Sequence, residues 1–284
     1  MKKNKLVLST LTIALGATLI APNALAASKG STTSKGVAGF TTSTNVDNDI
    51  QIPEVVPEVT VRPPYTGGDN ELQTGEGLAL FVPDFDFGRD EIKQEKQLLN
   101  VKPVQYTNTD STATVQNYYL PPMIIVKDQR GGGTSTWSVK VWNSEFTNTS
   151  GHTLKGATIR MNDALVFNSA KPSGTGGIPT TSDQNVTSDP DFVVPTTPFV
   201  FPTKSTEAAI ILASKTKGAF QTTLVPDTSA NYEDFKATAA SKSKYSATDQ
   251  LPSVQLEVPA ATIRQASTYT STITWELFDT ADGK

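Results

Sequence analysis

The chain has 284 residues, a formal net charge of −4, 37% hydrophobic and 18% charged residues, no cysteine and a single histidine. The missing cysteine excludes disulfide frameworks, thiolate nucleophiles and cysteine-ligated metals, and the single His152 excludes metal motifs built on two histidines. The composition is too polar for a membrane protein, but it can supply one sizeable hydrophobic core.

The first 26 residues have the features of a secretory signal peptide. Three lysines lie within the first five residues, an apolar stretch follows over residues 6–20, and a small-x-small cleavage site covers residues 24–26. We expect cleavage after Ala26 and therefore a secreted protein. No later apolar run reaches the roughly 20 residues that a membrane-spanning helix needs, so we expect no transmembrane anchor.

Two segments separate the signal peptide from the main domain. Residues 27–46 are rich in Ser, Thr and Gly around an apolar core at 37–40, which is typical of one docked strand or of an extended tail. Residues 47–76 contain four prolines and seven acidic residues against one arginine. Prolines and like charges favour an extended, solvated chain, so we predict an acidic linker over 47–76; an edge strand over 54–61 is the alternative.

Residues 77–284 form the predicted main domain, because short apolar patterns with a period of two recur along them. Short helices are plausible only at 90–99 and 232–240, and the Gly-, Pro- and Thr-rich stretch 171–191 indicates a long loop or insertion. The predicted fold class is all-β, a sandwich or barrel-like domain with long loops and few or no helices. The predicted strands cover residues 78–82, 122–126, 137–142, 157–162, 208–213, 220–225, 254–258 and 269–277.

The sequence lacks the patterns that enzyme active sites require. His152 lies in a predicted turn without a nucleophile elbow, and the three glycines at 131–133 lack the Lys-Ser/Thr continuation of a phosphate-binding loop. The acidic residues at 84 and 86, and those at 183, 189 and 191, do not have the fixed spacing of a calcium loop. We therefore expect no enzyme activity, no metal and no cofactor, and the net acidity disfavours nucleic acid as a partner.

The ligand-binding candidates lie around residue 137. Trp142 falls on the opposite face of its predicted strand from the apolar residues, so its ring is available to stack on a sugar. Basic residues outnumber acidic residues between 123 and 162, and an anionic polymer is a suitable partner for them. An ordinary solvated mixture of charges is the alternative. The candidates are Trp142, Lys140, Arg130 and Lys127.

Two ordered sets of motifs resemble the WxL-domain surface proteins of Gram-positive bacteria. The first set has a D-x-R-G turn at 128–131, followed by the proximal motif Trp137, Ser138 and Val139. The second set is a Tyr-to-Leu strand at 269–277, which ends in the distal motif Trp275, Glu276 and Leu277. Residues 85–88, Phe-Asp-Phe-Gly, also resemble the Asp-Phe-Gly motif at the start of that domain. Val139 stands where the family has Leu, and Ser271 stands where it has Ala.

The resemblance implies a cell-surface protein held non-covalently on peptidoglycan, with other surface proteins of the same system as partners. Trp137 and Trp275 both lie on the apolar faces of their predicted strands, so a structural role for both motifs is favoured over ligand contact. Two alternatives remain open at this point. The alternatives to direct wall attachment are an interaction module for a partner surface protein and an adhesin for host matrix.

Overall fold

The structure is a computed structural model that describes residues 46–55, 58–64, 70–74, 76–130, 135–169, 184–216 and 218–283. These residues all belong to one compact unit, Thr41–Lys284. The predicted signal peptide with Ala26, and the apolar core at 37–40, lie outside the described residues.

The described chain is built from short strands, one α-helix and a 3-10 turn at Ser205–Glu207, which confirms the all-β fold class. The helix α1 covers Ser229–Lys236. The strands are β1 (Ile50–Gln51), β2 (Thr60–Arg62), β3 (Glu71–Gln73), β4 (Leu78–Phe81), β5 (Gln97–Val101), β6 (Val104–Asn108), β7 (Asn117–Leu120), β8 (Ile124–Asp128), β9 (Trp137–Asn143), β10 (Thr147–Asn148), β11 (Thr158–Met161), β12 (Leu165–Asn168), β13 (Phe192–Val193), β14 (Phe199–Val200), β15 (Ala209–Ser214), β16 (Phe220–Val225), β17 (Leu251–Val258), β18 (Tyr269–Thr270) and β19 (Ile273–Phe278).

A five-stranded antiparallel sheet, in the order β12-β16-β8-β4-β3, lies between two hydrophobic cores. Alternate residues of each central strand enter opposite cores: Leu80 and Val126 enter the first, whereas Phe81 and Ile125 enter the second. Because both faces are covered, β4 and β8 are buried along their whole length, and their sequences are continuous apolar runs rather than alternating ones.

The first core is closed by two four-stranded sheets, β14-β11-β17-β5 and β13-β15-β9-β19. The second core is closed by the sheet β1-β2-β6-β7 together with α1, which buries Tyr232 and Phe235. Thr228 caps α1, because its side chain accepts a hydrogen bond from the backbone N–H of Asn231 at 3.2 Å. The molecule therefore has three layers, with the five-stranded sheet in the middle.

The acidic linker predicted over 47–76 needs correction. The described part of this segment contains β1, β2 and β3, and Ile50, Ile52 and Val61 are at most 1% exposed in the second core. Its apolar residues bury enough surface to order the chain, and two of its acids, Asp47 and Glu54, pair with lysines elsewhere in the fold. The alternative of a strand over 54–61 is closer to the structure, since β2 begins at Thr60.

The two helical candidates have different outcomes. The one at 232–240 overlaps α1, whereas the one at 90–99 is irregular up to Lys96 and then continues as β5. The strand predicted at 269–277 divides into β18 and β19. Within the described ranges, no helix combines the length and the apolar character needed to cross a membrane.

Candidate functional site

The two tryptophan motifs lie side by side. Strands β9 and β19 are antiparallel neighbours, and their register places Leu277 opposite Val139 and Trp275 opposite Val141. Trp137 is fully buried, and its indole N–H donates to the Gly218 carbonyl at 3.1 Å. The proximal motif therefore lies in the core, and it holds one side of β9 against the loop that precedes β16.

The D-x-R turn at the end of β8 contains a buried ion pair between Asp128 and Arg130. Both carboxylate oxygens of Asp128 accept from the Arg130 guanidinium, at 3.0 and 2.7 Å, and the same guanidinium donates to the Thr136 carbonyl at 2.9 Å. Burial raises the pKa of Asp128, but hydrogen bonds from Arg130 and Ser135 outweigh burial, so this pKa lies below its ordinary value. Arg130 was a candidate for ligand binding from the sequence. In the structure, its guanidinium bonds Asp128 and the Thr136 carbonyl next to β9.

Lys127 is also occupied within the fold. Its side chain is 7% exposed, and its ammonium donates to a carboxylate oxygen and the carbonyl of Asp47, at 2.6 and 2.9 Å, and to the carbonyl of Asp49. Lys127 belongs to β8, and every residue of this strand is buried because both faces of the strand are covered. The prediction that it contacts a ligand is therefore corrected: it anchors the first described residues of the chain.

The outward face of β9 carries the other two candidates. Trp142 is half-buried and lies opposite Thr274 of β19. The Lys140 ammonium donates to the Gly283 carbonyl at 2.8 Å and lies 4.9 Å from the centroid of the Phe278 ring. Ser138 donates to the Thr280 carbonyl at 2.6 Å. Residues 280–283 thus run across the proximal motif, and they engage Lys140 while Trp142 keeps a partly exposed ring.

The distal motif is more open than the proximal one. Trp275 and Leu277 are half-buried and both pack against the first core, whereas Glu276 is exposed. The Trp275 ring lies 5.9 Å from Phe201 and 6.4 Å from Phe85, in edge-to-face contacts that fix its orientation.

The Phe-Asp-Phe-Gly segment at 85–88 fills the open side between the two sheets of the first core. Phe85 contacts Trp275, and Phe87 lies 6.4 Å from Phe146. Asp86 holds the segment to the end of β5, because its carboxylate accepts from Lys102 Nζ at 2.8 Å and its carbonyl accepts from the Lys102 backbone N–H at 2.8 Å. The Lys102 ammonium lowers the pKa of Asp86.

These elements enclose a groove of about 1430 Å³, which we call the aromatic groove. Its walls are β5 and β17 on one side and β18 and β19 on the other, and the segment 82–92 and the loop 264–272 complete it. Partly exposed rings of Phe85, Tyr269 and Trp275 face it. The volume exceeds the range of roughly 300–1,000 Å³ that is typical of small-molecule sites, so the groove is large enough for an extended ligand.

The rim of the aromatic groove is polar and well ordered. The Tyr269 hydroxyl lies 3.0 Å from His152 Nδ1 and accepts from the Gln265 backbone N–H at 3.0 Å. The Arg264 guanidinium donates to backbone carbonyls on both sides of the loop, including those of Lys93 and Glu95. Hydroxyl, amide and carboxylate groups around an aromatic floor can bind a sugar chain through stacking and hydrogen bonds.

The sequence identified two of the segments that line the aromatic groove, but it did not predict that they come together. It marked residues 85–88 and the distal motif separately, and its ligand-binding candidates lay on or next to β8 and β9. The contact between Phe85 and Trp275 joins residues 190 positions apart, and no local pattern reveals such a contact. Among the described residues, no cluster of three or more His, Asp and Glu side chains is placed to hold a metal ion.

Comparison with known proteins identifies one similarity. A family model described as "WxL domain surface cell wall-binding" matches residues 27–281, which is nearly the whole chain. No curated protein and no solved structure is significantly similar to this chain.

Proposed function

Because this chain belongs to the WxL family of surface cell wall-binding domains, we propose that it attaches non-covalently to peptidoglycan and that the aromatic groove holds the glycan. Membership of the family makes it a wall-associated surface protein, and the family is one of binding domains rather than enzymes. Export through the signal peptide at 1–26 belongs to the same proposal.

The aromatic groove carries this proposal. Peptidoglycan presents long chains of amino sugars, whose ring faces are apolar and whose edges carry hydroxyl and amide groups. Trp275 and Tyr269 offer flat faces for such rings, and their contacts with Phe85 and His152 hold them in place before a ligand arrives. The groove rim carries both acids and bases, with Asp86 and Lys102 paired at 2.8 Å. Stacking rather than net charge therefore supplies the affinity.

The test measures sedimentation of the full chain with purified cell walls that carry no other protein. We expect Trp275→Leu to weaken binding at least tenfold, whereas Trp142→Leu, the same exchange on the neighbouring strand, binds as the native chain does. Ser267→Arg, a substitution on the exposed groove rim, places a long side chain over the groove and should also weaken binding. Because stacking is not screened by salt, binding should persist at high ionic strength.

Each alternative gives a different result in the same assay. Loss of binding in Trp142→Leu alone would place the ligand on the outward face of β9, as the sequence suggested. If a folded Trp275→Leu chain and Ser267→Arg both bind normally, the groove assignment is wrong. Binding that appears only after a partner surface protein is added would make the attachment indirect. Binding to immobilised matrix but not to walls would favour the adhesin.

A further inference from the structure

The first described residues form a hairpin that covers the second core. We call residues 46–55 and 58–62 the N-terminal hairpin; β1 pairs with β2 inside it, and β2 pairs with β6 through Val61 with Asn108 and Arg62 with Thr107. These two residue pairs are its ladder contacts with the rest of the described chain. Its buried side chains fill the core beside β8 and α1.

Side-chain amides bind the backbone of the first half of the hairpin. The Gln73 amide accepts from the backbone N–H of Val46 at 3.2 Å and donates to its carbonyl at 2.8 Å. The Gln221 amide does the same to Gln51, at 3.0 and 2.7 Å. Two glutamine side chains therefore supply the donors and acceptors that the backbone of a neighbouring strand supplies when a domain binds an added peptide strand.

Buried charges anchor the hairpin at its start and at its turn. At its start, the Lys127 ammonium is 7% exposed and is bonded to Asp47 and to the Asp49 carbonyl. At its turn, Glu54 is 5% exposed in its side chain and accepts from Lys236 at 2.6 Å. The other Glu54 oxygen accepts from the Asn185 backbone N–H at 2.9 Å. When the hairpin leaves, the buried Lys127 loses the partners named above, whereas Lys236 keeps Glu233 at 2.7 Å. An empty cleft is therefore disfavoured mainly by Lys127.

We propose that this cleft is a strand acceptor and that the N-terminal hairpin of a second copy of this chain occupies it, which gives reciprocal hairpin-exchanged dimers. An identical hairpin reproduces every contact described above, so the closed and exchanged forms differ mainly in entropy and in the connecting residues. Exchange must open the two ladder pairs and the glutamine, charge and core contacts described above, and an identical hairpin restores all of them. Residues 63–64, both proline, follow the hairpin directly. Crowding of copies on a surface raises the effective concentration that favours exchange.

The cysteine-free sequence provides a direct test. Arg62 and Thr107 are exposed cross-strand partners, and antiparallel partners lie about 4.5–5.5 Å apart at Cα, within the range for a disulfide. The full chain with Arg62→Cys is mixed with the full chain carrying Thr107→Cys, unfolded and refolded together at high concentration, and then oxidised. Exchange predicts a mixed disulfide dimer in at least tenfold excess over the dimer formed by Lys204→Cys with Thr107→Cys, a control pair without cross-strand register.

The double variant Arg62→Cys/Thr107→Cys completes the design. Oxidised before mixing, it locks each hairpin onto its own chain, so light scattering should show a dimer fraction for the native chain and none for the locked chain. If the mixed disulfide stays at the level of the control pair and the native chain refolds entirely as monomer, the proposal is overturned. The readouts are covalent linkage and mass, so they do not depend on whether the domain binds peptidoglycan.

Discussion

Replacement of Arg130 by Met tests whether the D-x-R turn is a structural bond rather than part of a ligand site. In the native chain, the Asp128 side chain is 0% exposed and receives two hydrogen bonds from the Arg130 guanidinium. Arg130→Met keeps most of the side-chain volume but removes both donors. The Asp128 carboxylate is then left with backbone and hydroxyl donors alone, in a position that water does not reach.

The expected loss follows from that geometry. Removal of one partner from a buried ion pair costs about 3–5 kcal/mol, and Arg130 is itself 23% exposed, so we expect about 3 kcal/mol at pH 7. The native pKa of Asp128 is lowered, so the contribution of the pair is present above the unfolded pKa of about 3.9 and is lost as pH falls through the folded pKa. Without the guanidinium, burial raises this pKa, so the difference from native should shrink between pH 7 and pH 4.

The assay is urea unfolding followed by tryptophan fluorescence at both pH values. Lys204→Met is the control, because Lys204 pairs with Glu207 on the surface with 70% and 58% side-chain exposure. We expect that control to change the free energy of unfolding by less than about 0.5 kcal/mol at either pH. A loss in Arg130→Met below about 1 kcal/mol, or one equal at pH 7 and pH 4, would refute the reasoning.

Three further predictions concern stability and use the same unfolding assay. Trp137→Phe removes the hydrogen bond to Gly218 and part of the ring volume, so it should cost about 1–3 kcal/mol. Gly218→Ala should cost at least about 2 kcal/mol, because the added Cβ would lie 2.1 Å from Trp137 Nε1. Thr228→Ala removes the cap that accepts from Asn231 and should cost about 1 kcal/mol. Unchanged urea midpoints would contradict the corresponding contact in each case.

The strands were the most predictable part of this fold. Period-two alternation in β17 reflects burial of one face, and the continuous apolar runs in β4 and β8 reflect burial of both faces. Each pattern can be recognised from neighbouring residues alone. The strand predicted at 220–225 coincides with β16. The division between β18 and β19 was not predictable, because it depends on Ser144, which bonds the backbone N–H of Thr272 from another part of the chain.

Charge was the least reliable guide to structure. The segment 47–76 has a strongly negative local balance, but Asp47 and Glu54 are matched by Lys127 and Lys236, far along the chain. The same long-range pairing removes Lys127 from the set of available ligand contacts. A short stretch of sequence shows the sign of each charge but not the distant residue that neutralises it. The linker and the basic site were therefore both inferred from local charges without their partners.

The pairing of β19 with β9 has a consequence for when the protein becomes functional. Residues 273–278 form one wall of the aromatic groove, and they pair with strand residues 138–143 that are made long before them. A chain that is made from its N-terminus therefore has no complete groove until residues 273–278 are free to pair. Such distant pairing also slows folding. Under the proposed function, a chain in which β19 has not yet paired with β9 is not retained by the wall, so each molecule can move away from its point of emergence before it binds.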